Sequence, residues 1–94
     1  DMNPAFAADF LARLGQDNWP RSSYEVSGWD YATPPAAPVS YVLCLRDAVL
    51  TLPWQEKFAA RLGATSLARI DAGHQAMNSR PHGLAEILLI EAAA

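Results

Sequence analysis

The run Val39-Ser40-Tyr41-Val42-Leu43-Cys44-Leu45, followed by Arg46-Asp47, decides how this chain is read. It is almost continuously apolar, with valine and tyrosine among its members, and lacks the alternation of a half-exposed strand. That pattern suits a strand buried on both faces, and such strands belong to parallel sheets flanked by helices. The residues that follow agree. Thr51 or Leu52 leads into Pro53, and Trp54, Phe58 and Leu62 then recur at helical spacing up to Gly63. Thr65 to Ile70 reads as a second short strand. Ser79 caps a second helix that runs to about Ala93, with Pro81 in its first turn and Leu84, Ile87 and Leu88 facing inward.

Upstream of this unit, Asn3-Pro4 pairs a good N-cap with the residue best suited to a first helical position. Phe6, Phe10 and Leu14, with Ala7 and Leu11 beside them, form the stripe of a packing helix over about residues 4 to 14, and Gly15 is placed to end it. From Gln16 to Pro38 the periodicity dissolves into a connection holding Trp19, Tyr24, Trp29 and Tyr31. Connections longer than about 12–15 residues are functional or pack down on their own side chains. Its aromatics therefore either pin the loop to the body of the protein or line a pocket.

The order helix, long loop, strand, helix, strand, helix is that of the end of an α/β sheet wound with crossover helices. Two strands are too few for such a sheet, since an isolated strand pair is marginal in water. Either a second copy completes it or the chain is the C-terminal part of a longer protein. The second is the expectation, and the absence of an initiating methionine before Asp1 agrees with it.

Composition narrows the partners. With 51% hydrophobic and 18% charged residues, the 94-residue chain can build a core. A formal net charge of −3 and a single lysine, Lys57, supply no basic footprint, so neither nucleic acid nor an anionic membrane surface is expected as a partner. No apolar run reaches the roughly 20 residues of a membrane span. Cys44, the lone cysteine, reads as a small buried hydrophobe. No Cys/His cluster, glycine-rich phosphate loop or calcium-loop pattern is present, so no metal or other cofactor is implied.

The chemistry lies at the strand ends. In open α/β sheets, ligands bind at the carboxyl ends of the strands. Asp47 stands two residues past Leu45, and His74 stands four past Ile70 in the turn Asp71-Ala72-Gly73-His74. If the strands are parallel neighbours, both residues open onto one edge of the sheet. Asp47 would then accept the Nδ1 proton of His74 and leave Nε2 free to take a proton from a nucleophile. Asp71, three positions before His74, is the other candidate acid; its spacing favours a bond to the loop backbone. His82, in the first turn of the last helix, reads as a surface residue.

Residues Pro38 to Leu89 resemble the C-terminal segment of α/β-hydrolase-fold enzymes, in particular the small-esterase and hydroxynitrile-lyase-like branch. The resemblance rests on Pro38 through Asp47, Pro53-Trp54-Gln55, Ala59-Ala60-Arg61-Leu62-Gly63-Ala64, Asp71-Ala72-Gly73-His74 and Met77-Asn78-Ser79-Arg80-Pro81. It implies that residues 38–94 are the last two strands and flanking helices of that core, and that residues 1–37 are the end of its lid and the connection back to the sheet. It also implies Asp47 as the triad acid, His74 as the triad base, and Val49, Leu50 and Met77 beside a small carboxylic ester substrate. The family's Gly-x-Ser-x-Gly nucleophile elbow and its His-Gly oxyanion segment are absent from the 94 residues. The expectation is thus a serine hydrolase whose nucleophile comes from a companion N-terminal polypeptide, the chain alone being inactive. Hydroxynitrile lyases of the branch carry lysine after the histidine, whereas this chain has Gln75, which favours ester hydrolysis. A lyase and a non-catalytic ligand-binding protein of the same fold are the alternatives.

Overall fold

The computed structural model describes residues 1–28 and 36–94. Along the chain it places α1 (Pro4–Arg13), α2 (Ser22–Glu25), β1 (Ser40–Cys44), α3 (Leu52–Arg61), β2 (Ser66–Ile70), α4 (Ala76–Ser79) and α5 (Pro81–Ala93). The result is a mixed α/β arrangement: a two-stranded parallel sheet with flanking helices.

The register runs from Ser40 opposite Ser66 to Cys44 opposite Ile70. Beyond the strands the pairing continues, with Leu45 N–H on the Ile70 carbonyl at 3.0 Å and Arg46 N–H on the Ala72 carbonyl at 2.9 Å. At the opposite end, Glu91 of α5 accepts from Ser40 Oγ at 2.6 Å and Ser66 Oγ at 3.1 Å. One carboxylate therefore ties the end of α5 to the first residue of each strand. Between the strands, α3 ends at Arg61, and Gly63 just past its cap takes a φ of +66°, the left-handed value that glycine accepts at least cost. The core is small. Ile70, Ala72 and Ala76 form it, with Val42, Cys44, Leu84 and Ile87 packed around them.

Several sequence expectations change here. α1 itself forms as expected, from Pro4 to Arg13 with Leu14 as its cap and Phe6 N–H on Asn3 Oδ1 at 2.8 Å, though Gly15 just past it lacks the left-handed φ of a helix-ending glycine. No residue of α1 is buried, so among the described residues its apolar stripe is at most partly covered. The inward face of α3 is Gln55 and Ala59, not the line through Trp54, which is half exposed. Ser79 ends α4 instead of capping the last helix, which starts at Pro81 without a side-chain cap. Leu84 and Ile87 face inward, while Leu88 is 55% exposed. The connection gains a short helix, α2. Trp19 and Tyr24 meet with ring centroids 6.3 Å apart, and both stay largely exposed. Trp29 and Tyr31 lie outside the described residues.

The run that reads as buried on both faces holds a single buried residue, Leu43. Leu45, Leu67, Leu89 and Ile90 are exposed as well. The accessible surface is 7464 Å² for a chain of 10.2 kDa. A compact monomer of that mass shows about 5,300 Å². The radius of gyration is 16.0 Å, against about 13 Å for a self-contained domain of similar length. The apolar pattern is that of a covered sheet, and these residues alone do not cover it.

Candidate active site

Parallel pairing brings the two strand ends side by side, and the zipped pairs Leu45–Ile70 and Arg46–Ala72 carry that alignment into the turns beyond. Asp47 and His74 are the next polar residues of those turns able to take part in acid–base chemistry. His74 Nδ1 and Asp47 Oδ2 are 2.8 Å apart. The Asp47 side chain is 5% exposed, and that of His74 is 47% exposed. Asp47 Oδ1 accepts from the N–H groups of Val49 at 2.8 Å and Leu50 at 2.9 Å.

This environment fixes the protonation pattern. Burial alone would push the Asp47 carboxyl upward. The hydrogen bond from His74, the N–H groups of Leu50 and Val49 and the charge on His74 outweigh it, and the carboxyl is held below its usual range. An ionised carboxylate only accepts, so Nδ1 of His74 carries the proton that lies between them. In the neutral imidazole Nε2 is then the basic nitrogen.

Gln55 closes the Asp47 turn from behind. Its side-chain amide accepts from Cys44 N–H at 2.8 Å and donates to the carbonyls of Cys44 at 2.9 Å and Leu50 at 2.8 Å. The residue is 2% exposed, and all its bonds serve the backbone on either side of Asp47. Gln55→Ala strands these part-buried backbone groups, each costing about 1–3 kcal/mol. The expected destabilisation of the complete protein is about 2–4 kcal/mol, read as a lower denaturant midpoint. Gln55→Glu should be worse than isosteric, because a carboxylate would face two carbonyl oxygens. Equal midpoints for wild type and both variants would rule this role out.

Asp71 stays away from the imidazole. Its carboxylate pairs with Arg46 Nε at 2.7 Å instead of with the loop backbone, and Arg46 Nη2 also donates to the Asp71 carbonyl at 3.2 Å. This pair clips the two turns together on the solvent side. His82 is exposed. Burial, and secondarily the charge of Asp47, pushes the Cys44 thiol upward, so it lacks the thiolate character of a nucleophile.

An open cleft of about 350 Å³ lies beside His74, lined also by Asp1, Met2, Arg46, Val49 and Gln75. Of the residues expected near substrate, Val49 lines it. Leu50 gives its backbone N–H to Asp47, and Met77 is 57% exposed; neither lines the cleft. None of the described serines hydrogen-bonds His74: Ser40 and Ser66 serve Glu91, and Ser79 serves Asp1. Among the described residues no cluster of three or more His, Cys, Asp or Glu side chains could hold a metal ion. Nor is any helix there long and apolar enough to cross a membrane.

Asp1 has no role among the sequence expectations, and Gln55 enters them only within the motif Pro53-Trp54-Gln55. A glutamine on the same helical face as Ala59, next to an apolar strand, was the available signal for Gln55; nothing in the sequence marked Asp1.

Comparisons with protein-family models, with curated proteins and with solved structures find no match to this chain.

Proposed function

We propose that this chain is the C-terminal portion of an α/β-hydrolase-fold serine esterase acting on small carboxylic esters. The observation that carries the reading is the Asp47–His74 hydrogen bond, formed across parallel strand ends at the mouth of a cleft. Asp47 holds the Nδ1–H tautomer and stabilises the imidazolium. His74 Nε2 takes the proton of a serine hydroxyl as its oxygen attacks the ester carbonyl, then returns it to the departing alcohol. Water repeats the cycle and frees the acid. The serine and the oxyanion donors belong to a companion N-terminal part, which also covers β1 and the exposed apolar faces. The excess accessible surface supports that assignment.

Gln75 beside His74 turns the reading toward hydrolysis and away from cyanohydrin cleavage. The complete protein is expected to hydrolyse a small aryl ester, and residues 1–94 alone are expected to be inactive. Aldehyde release from a cyanohydrin with esters left intact would instead make it a lyase. Ester binding without turnover would make it a ligand-binding protein of the same fold.

A further inference from the structure

We propose that Asp1 is a positioning residue for His74. The Asp1 side chain is only 6% exposed although the residue starts far from the sheet in sequence. Its Oδ2 accepts from the N–H of Gly73 at 2.8 Å and from Ser79 Oγ at 2.6 Å, with Arg80 Nη1 4.0 Å away. Those partners bracket the His74 turn: Gly73 is the residue before the imidazole, and Ser79 and Arg80 end α4 and lead into α5. One carboxylate therefore clamps both ends of the segment that carries the base. Charge-assisted bonds of this kind are short and directional, which suits holding a turn in a single geometry.

Gly73 belongs to the same device. A Cβ at that position would stand 2.9 Å from Asp1 Oδ1, so an alanine there makes the carboxylate shift from its seat. The two members of the acid–base pair thus have separate supports. Gln55 holds the Asp47 turn from one side, and Asp1 holds the His74 turn from the other. Without Asp1 the Ala72–Gly73 peptide keeps only the bond from Arg46 N–H to its carbonyl, and the ring drifts relative to Asp47 Oδ2. Misplacement by about 1 Å costs on the order of 100-fold in rate.

The kinetic consequence rests on the esterase reading; the structural one does not. The experiment uses the complete protein with Asp1→Ala, Asp1→Asn, Ser79→Ala and Gly73→Ala. It reads kcat and KM on an aryl ester, and the proton resonance of the His74 Nδ1–H bonded to Asp47. Asp1→Ala should lower kcat by about 10- to 100-fold with KM nearly unchanged, and broaden that resonance through exchange with water. Asp1→Asn keeps an acceptor for Gly73 and Ser79 and should recover most of both signals. Gly73→Ala should reproduce Asp1→Ala and add little to it in the double variant. Should Asp1→Ala fail to fold, Ser79→Ala removes one leg of the clamp and is read the same way. An unchanged resonance in folded Asp1→Ala or Ser79→Ala overturns the proposal. A wild type that turns over no ester sinks the esterase reading, and the resonance still decides Asp1.

Discussion

Replacing His74 by alanine in the complete protein is expected to lower kcat on a small aryl ester by about four to six orders of magnitude. The fold should survive. His74 sits in an exposed turn with its side chain 47% accessible, and the turn itself is held by Gly73, Ser79 and the Arg46–Asp71 pair. On the proposed esterase reading, what is lost is the group that receives the nucleophile's proton and returns it to the leaving alcohol. Unfolding midpoints close to wild type, together with the collapse of kcat, would separate chemistry from stability. A variant retaining more than about a tenth of wild-type turnover would leave His74 without a triad role.

Asp47→Asn is the second large effect, and the hydrogen bonds dictate its mechanism. Oδ1 of Asp47 takes the N–H groups of Val49 and Leu50, so an asparagine must place its oxygen there to keep those bonds. Its amide nitrogen then occupies the position of Oδ2, 2.8 Å from His74 Nδ1. An amide nitrogen donates, so Nδ1 is forced to accept and the proton moves to Nε2. The nitrogen that should act as base is then already protonated. The expected loss in kcat is about 10⁴-fold with little change in stability. Recovery of activity in Asp47→Asn to within about tenfold of wild type would show that the carboxylate does not set the tautomer.

The sequence was informative where the local pattern and the tertiary answer share a cause. The apolar run from Val39 and the shorter one ending at Ile70 are strands, and parallel pairing is what puts position 47 next to position 74. Helix faces were harder to read. The line Trp54, Phe58, Leu62 is the more apolar one on α3, yet Gln55 and Ala59 are buried. The α3 surface that meets β1 satisfies backbone groups of the Asp47 turn through an amide, and hydropathy does not register that need. The stripes of α1 and Leu88 misled for another reason. They carry the signature of packing, but among the described residues they are at most partly covered. Asp1 was illegible because its partners, Gly73 and Ser79, are 72 and 78 positions away. No local periodicity encodes a clamp of that span.

The central claim is that Asp47 and His74 serve a serine supplied by another segment. The most direct measurement is covalent labelling of the complete protein with a fluorophosphonate, followed by peptide mass mapping. The account predicts a single phosphonylated serine, outside residues 1–94, in wild type, and none in His74→Ala at the same probe concentration. A label on one of the serines of this chain, or equal labelling with and without His74, would contradict it.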